Sequence, residues 1–456
     1  MEGDRLILLA RYTLKSFYNR VVDMTTPPIV FCFHRDLRLA DNRPLLEAIR
    51  LAKEIGSGVI PIFIFTPAQV GKKAPVRSLM SIACMFQCLR EVDAELRNLG
   101  SELYVFYGEE SDVLRDIYKA VPYYALVETA DYTPYAKARS ERIAGVCADV
   151  GAIYASHHDL YLHNPGTILN KAGKTFQKFT PFYNVAKEKA VEKVLAGPRD
   201  GFFGGLGKKL GKYQTTLDKM EATIFTSQTS RDSVKGRAYQ GGRAEGLRLL
   251  QDIPRNYAEI HDVLAEKTSG LSVHHHFGSI SIRESYWRGH SLGLDAFVRQ
   301  LFWRDFYGHI MNDFENLYEV GVHEFKAKGG RGYDSAAKKK IFQAWCEGRT
   351  GIPLVDAGMR QLLETGFMHN RVRLVVASWL IKDMGVWWKW GELFFAEKLL
   401  DYDLTQNMMN WIWVASLLPF SQAPFRRHDP ETIAKRLDPE QKYIGRWTRS
   451  ESDERF

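Results

Sequence analysis

The sequence is short of several things. It has five cysteines, Cys32, Cys84, Cys88, Cys147 and Cys346, odd in number and scattered. That excludes a disulfide framework and points to an intracellular, reducing compartment, cytoplasm or nucleus, rather than secretion. Cys84 and Cys88, four apart, read as small buried hydrophobes rather than half a metal site. No apolar run approaches the roughly 18–20 residues that span a bilayer, so no membrane is expected as a partner. Acid is not in excess: Asp plus Glu is 54 against 62 Lys plus Arg, a formal net charge of +8. This excludes an acidic disordered tail, and a total of that size without clustering says little about phosphate backbones. No G-x-G-x-x-G follows the first strand, and neither H-E-x-x-H nor a paired C-x-x-C occurs. Gly173-Lys174-Thr175 imitates the end of a phosphate loop, but Ile168 stands where its first glycine is required. His274-His275-His276 and His157-His158 are adjacent residues that point different ways, so no metal is expected. Tryptophan is absent before Trp287, then nine fall between Trp287 and Trp413, with the tenth at Trp447.

What is present reads as globular: 45% hydrophobic and 25% charged over 456 residues, enough for two or three domains. Residues 1–27 form an N-terminal extension whose Arg5, Arg11, Lys15 and Arg20 suit a transit peptide, while Glu2, Asp4 and Asp23 oppose one. Residues 28–160 alternate between β-rich runs (29–33, 59–65, 103–107, 124–127, 153–155) and helical stretches (44–53, 78–99, 111–120). Such alternation predicts a Rossmann-like parallel sheet with helices on both faces. Residues 161–238 form a long connector, with five glycines and several lysines in 201–212. Residues 239–447 are helical, with stretches at 296–313 (Asp295 as N-cap), 335–346, 355–365, 371–384 and 392–399. Residues 448–456 form a short tail. The fold class is α/β plus all-α.

Three features of the helical half could carry chemistry. The tryptophans fill a core well, but indoles also stack on bases and pass electrons in short hops. In Asp401-Tyr402-Asp403 through Asn407, ending at Trp411 and Trp413, two acids and an amide sit in apolar surroundings. Buried acids need partners, and Arg371 and Arg373 lie upstream; a capped helix start with a buried ion pair is the plain alternative. Lys267-Thr268-Ser269-Gly270-Leu271-Ser272 offers hydroxyls and backbone N–H groups around a glycine, suited to a diphosphate or to starting a helix.

Together these segments resemble the photolyase/cryptochrome family over residues 28–447, most of all its class I cyclobutane pyrimidine dimer enzymes. The resemblance is carried by Trp345-Cys346-Glu347-Gly348-Arg349-Thr350-Gly351-Ile352-Pro353-Leu354-Val355-Asp356, by Gly366-Phe367-Met368-His369-Asn370-Arg371-Val372-Arg373, and by Asp401 to Trp413. In the first half it is carried by Phe33-His34-Arg35-Asp36-Leu37-Arg38-Leu39-Ala40-Asp41-Asn42, Asp131-Tyr132-Thr133-Pro134-Tyr135 and Phe179-Thr180-Pro181-Phe182. It implies an antenna domain followed by a helical FAD-binding domain, and light-driven repair in which excited reduced flavin lends an electron to a pyrimidine dimer extruded from UV-damaged DNA. The protein is then expected to act as a monomer. A second, antenna chromophore of folate or deazaflavin type occurs in related proteins, and its contacts carry no motif.

By the same resemblance, Tyr257 and Thr268, Ser269, Gly270, Leu271 and Ser272 hold the FAD phosphates. Arg304, Asn370, Arg373, Asp401, Tyr402, Asp403 and Asn407 line the cofactor. Asn407 faces flavin N5, where a neutral amide accepts a hydrogen bond and an Asp would oppose an anionic flavin. Trp345, Trp388 and Trp411 form the electron path, Trp388 having Trp387 and Trp390 as neighbours that compete for its register. Gln300, Trp303, Asn370, Arg371 and Trp413 contact the lesion, with Trp303 and Trp413 as its sandwich. This chain departs from the pattern at Gln300 (usually Glu), Leu374 (often Met), His261-Asp262-Val263-Leu264 (usually Arg-Asp-x-Pro) and the unusual Met408-Met409-Asn410. Gln300 gives weight to a cryptochrome photoreceptor, and His369-Asn370 in place of a His pair counts against six–four photolyase chemistry. The lysines of 326–340 read equally as a nuclear signal, a DNA-facing stretch or a solvated one.

Overall fold

A computed structural model describes residues 26–74, 76–202, 209–226, 240–314 and 335–448. The extension up to residue 25, the glycines of 203–208, the 326–334 part of the lysine cluster and the tail from 449 lie outside the described residues. The chain divides into two compact units. A sheet unit takes residues up to Lys73, Arg90–Leu160 and Leu195–Ile224, and a helical unit takes the rest. The stretch read as connector is therefore shared: 161–194 belongs to the helical unit and 195–224 to the sheet unit.

In the sheet unit, β1 (Ile29–Phe33), β2 (Val59–Phe65), β3 (Tyr104–Tyr107), β4 (Ala125–Thr129) and β5 (Ile153–His157) are parallel, in the order β5-β4-β1-β2-β3. β1 and β2 are buried along their whole length, which is why they read as unbroken apolar runs rather than alternating ones. Helices α1 (Arg43–Glu54), α2 (Leu79–Asn98), α3 (Glu110–Ala120) and α4 (Pro134–Val150) connect the strands, with α2 in the sheet unit only from Arg90. A sixth strand, β6 (Gln214–Thr215), adds antiparallel to β3 within the stretch that the sequence reads as connector, since two polar residues are too short a run to signal a strand.

The motif after β1 is a self-bonded loop. Asp36 accepts from the His34 backbone N–H (2.8 Å) and from the Thr129 hydroxyl (2.6 Å). Asn42 donates to the carbonyl oxygens of Asp36 and Arg38 and caps α1 through the Leu45 N–H. Arg38 and Asp159 form an ion pair that is almost wholly buried.

The helical unit is built around α8 (Asp295–Asp313), which buries Phe297, Leu301, Phe302, Phe306 and Ile310 among its neighbours. Asp295 is not the N-cap. The turn through Gly293 delivers the backbone so that Leu294 occupies that position and Asp295 is already helical, with no side-chain cap bond. Asp305, buried on α8, accepts the backbone N–H groups of Leu162 (3.1 Å) and His163 (2.9 Å), and burial pushes its carboxyl up to about 7 against those bonds. Around α8 lie α5 (Phe179–Ala186), α6 (Ser272–Phe277), α7 (Ile282–Ser291), α9 (Ala336–Cys346), α10 (Pro353–Thr365), α11 (Asn370–Ser378), α12 (Trp388–Lys398) and α13 (Leu404–Ala415), with shorter helices between and after them. The single helix read over 371–384 is interrupted: α11 ends at Ser378 and the chain continues as a π turn, Trp379–Asp383.

Removing one member of a buried ion pair strands its partner's charge. Asp159→Ala is expected to destabilise the sheet unit by about 3–5 kcal/mol. Asp200→Ala, which loses only an exposed pair with Lys53, is expected to cost about 0–1 kcal/mol. Denaturant unfolding of the two variants checks the contrast.

Candidate functional site

A cavity of about 490 Å³ opens in the helical unit, within the size range of cofactor sites. Its walls follow from helix periodicity. On α8, Gln300, Trp303, Arg304 and Tyr307 recur at i, i+3, i+4 and i+7 and all face it. The start of α11 supplies Asn370, Arg371 and Arg373, and α13 supplies Asn407, Asn410, Trp411 and Trp413. The loop Thr268 to Leu271 runs along it into α6, with Gly270 at φ +67°, a left-handed conformation that favours glycine.

Two polar arrangements are fixed by burial. Arg373 Nη2 lies 2.9 and 3.1 Å from the two oxygens of Asp401, while its Nε donates to the Met368 carbonyl (2.8 Å) and its cation lies over the Phe367 ring. Asp403 caps α13 by accepting from the Gln406 N–H (3.1 Å). The capped helix start and the buried ion pair are thus both there, and both shape the cavity. Asn407 Nδ2 donates to the backbone oxygen and to Oε1 of Glu392 (3.3 and 3.1 Å), and the Tyr402 hydroxyl donates to the same Oε1 (3.2 Å). Glu392 is 1% exposed, and burial raises its carboxyl above the usual range. With its nitrogen so engaged, Asn407 turns its oxygen away as an acceptor.

Every residue expected to bind cofactor or lesion lines this one cavity: Tyr257, Thr268 to Ser272, Gln300, Trp303, Arg304, Asn370, Arg371, Arg373, Asp401 to Asp403, Asn407 and Trp413. The departures His261, Asp262 and Leu374 line it too. Asp262 accepts from Arg371 Nε (2.6 Å), and His261 stacks on Tyr257 with ring centroids 5.2 Å apart. Trp303 lies flat on Phe179, centroids 3.7 Å apart and planes 7° apart. Trp413 has the Arg426 cation 5.6 Å from its ring centre.

The three tryptophans read as an electron path are treated unequally. Trp411 lines the cavity and meets Trp345 edge-on at 6.2 Å. Its indole also runs close past α12, where a Cβ on Gly391 would come within 2.2 Å of it. Trp345 is fully buried, donates to the Val376 carbonyl and stacks on Phe342, which packs on Trp390. Trp388 is also fully buried, but among the described residues its ring pairs with neither Trp345 nor Trp411; Lys389 Nζ lies 5.9 Å from it. By sequence, Tyr307 and Gln406 have no site role and Asn410 is noted only within an unusual stretch; all three line the cavity, while Glu392 and Phe179 touch its lining residues Asn407 and Trp303. Tyr307 was findable as one turn beyond Trp303, whereas Glu392 carries no local signal.

His369 caps α11 through Nδ1, which accepts from the Arg371 N–H. Burial, helped by the charges of Arg371 and Arg373, pulls its imidazole down to about 4. The unfolded chain takes up that proton below its ordinary value near 6.5, and the folded chain does so only near 4. Stability is therefore lost as the pH falls through that window. This group alone is expected to cost about 2 kcal/mol at pH 5 relative to pH 7. His369→Asn, which keeps a capping oxygen, should remove one proton's worth of the acid slope in denaturation curves measured at the two pH values.

Residues 29–198 match the family model described as DNA photolyase, and residues 297–452 match the FAD binding domain of DNA photolyase. A protein named deoxyribodipyrimidine photo-lyase from Streptomyces griseus is 32% identical over 439 residues, covering 92% of this chain and 88% of that one. Cryptochrome-2 of Arabidopsis thaliana is 28% identical, covering 91% and 69%. The solved structure of an archaeal photolyase from Sulfolobus tokodaii, described with two FAD molecules, is 35% identical with a TM-score of 0.77, covering 93% and 91%. These matches run through both units, and the chain belongs to the photolyase/cryptochrome family.

Proposed function

We propose that this protein is a cyclobutane pyrimidine dimer photolyase that acts on UV-damaged DNA. The observation that carries the reading is that one cavity unites two sets of side chains. One set, Arg373 with Asp401, Asn407 and the Thr268–Ser272 loop, suits a flavin dinucleotide; the other, Trp303, Trp413, Gln300 and Asn370, suits a flat, uncharged lesion. The residues present fit FAD. Hydroxyls and backbone N–H groups around Gly270, with Arg371 and Arg304 nearby, answer a diphosphate, and Phe395, Leu399 and Trp411 offer apolar walls for a ring system. When bound, FAD supplies the photoexcited electron that splits the cyclobutane ring and takes it back.

The chain's own residues do the rest. Arg373 and Asp401 neutralise each other, so the ring pocket carries no net charge from them. Glu392 holds the Asn407 amide so that its oxygen accepts. Trp303 and Trp413 stack on the extruded bases, each contact contributing about 1–3 kcal/mol. Gln300 hydrogen-bonds a base without bringing charge or an acidic proton. Trp411 with Trp345, and Trp388 by its resemblance to the family pattern, carry electrons inward to the cofactor. The second FAD of the Sulfolobus protein supports a second chromophore here as a class, and an absorption spectrum of the purified protein identifies it.

A photoreceptor without repair activity is the second reading, favoured by Gln300 and by the likeness to a cryptochrome. Blue-light treatment of a thymine-dimer oligonucleotide with the FAD-loaded, reduced protein decides between the two. Restoration of thymines above a dark control is expected, and a six–four lesion should stay unrepaired. Absence of thymine-dimer repair with FAD bound would sink the enzyme reading. Trp303→Ala should weaken binding of the damaged oligonucleotide by about 1–3 kcal/mol while the flavin absorbance stays normal.

A further inference from the structure

The unusual Met408-Met409-Asn410 stretch puts an amide on the cavity wall. Met408 and Met409 are buried in the core of the helical unit, but Asn410 is half-buried and lines the cavity. It stands on α13 one turn after Asn407 and three residues before Trp413. From α8, the opposing helix, the Tyr307 hydroxyl donates to Asn410 Oδ1 (3.4 Å), and the Tyr307 ring leans on Trp303 at 5.8 Å. Asn410 is thus linked to Trp303 through Tyr307 and to Trp413 along its own helix.

Its orientation is locked. Asn410 Nδ2 donates one hydrogen to the Gln406 carbonyl (2.8 Å), and Oδ1 accepts from Tyr307. Flipping the amide would set its oxygen against the Gln406 carbonyl oxygen, which accepts only, so the Gln406 bond decides the orientation and the Tyr307 hydroxyl supports it. The hydrogen left on Nδ2 is a donor whose direction the short bond to Gln406 fixes, while Oδ1 keeps one lone pair beside its contact with Tyr307. Gln300 is held far less, by a single 3.5 Å contact from Nε2 to the Ala296 carbonyl, and keeps both donor and acceptor capacity.

We propose that Asn410 is a base-reading residue: a fixed N–H donor that recognises a ring carbonyl of a pyrimidine held between Trp303 and Trp413. Gln300 supplies the complementary acceptor for the adjacent ring N–H. This rests on the repair reading and adds to it a named polar contact to the extruded pyrimidine.

The test is equilibrium binding of the FAD-loaded protein to a duplex with a thymine–thymine dimer and to the same duplex undamaged. Asn410→Ala is expected to raise Kd for the damaged duplex about tenfold and to leave the undamaged Kd and the flavin absorbance unchanged. Asn410→Asp, which offers only acceptors, should lose at least as much. Tyr307→Phe keeps the ring on Trp303 but removes one of the two bonds that hold the amide, and should lose severalfold. A wild-type Kd for damaged DNA in Asn410→Ala, or full binding by Asn410→Asp, overturns the proposal. If the wild-type protein itself shows no preference for the dimer, the repair reading fails and takes this one with it. A clear wild-type preference that survives in all three variants fails this one alone.

Discussion

A guanidinium and a carboxylate that leave water together decide where the cavity of the helical unit lies. Arg373 comes from α11 and Asp401 from the turn that opens α13, and each would be costly to bury alone. Their pairing fixes the distance between those two segments. The Met368 carbonyl accepts from Nε and the Phe367 ring lies against the guanidinium. With these segments pinned, Asn370, Asn407, Trp411 and Trp413 all open onto one space instead of collapsing into the aromatic core around them. Such a pair contributes little net stability, and its use here is positional.

Much of this was legible in residue patterns, for identifiable reasons. Buried parallel strands have to be unbroken apolar runs, so β1 and β2 were read at their observed limits. The cavity residues come from four separate segments whose meeting no spacing along the chain shows; the family resemblance implies it, and in the structure they line one cavity. Where sequence reasoning failed, the missing information was three-dimensional. Asp295 looks like a cap, but the preceding turn had already placed Leu294 in that role. The helix over 371–384 has no proline or glycine before Gly385, so nothing in it announced the π turn at Trp379–Asp383. Trp387, Trp388 and Trp390 cannot be told apart by composition; ring packing links Trp390, through Phe342, to Trp345.

The cavity also shows how one site can hold two environments. At one end an ion pair and a carboxylate-anchored amide manage charge. At the other, Gln300, Tyr307 and Asn410 are neutral, and burial keeps the Tyr307 phenol protonated well beyond ordinary conditions.

The two-residue strand β6 has its own consequence. Without it β3 would be an outer strand, four residues of backbone donors and acceptors facing outward, ready to recruit an extended segment from another molecule. By pairing antiparallel with Val105 and Phe106 only, β6 occupies that template while being too short to become one. That edge of the sheet, opposite β5, thereby carries its own protection against edge-to-edge pairing, supplied by a segment that looks, residue by residue, like a loop.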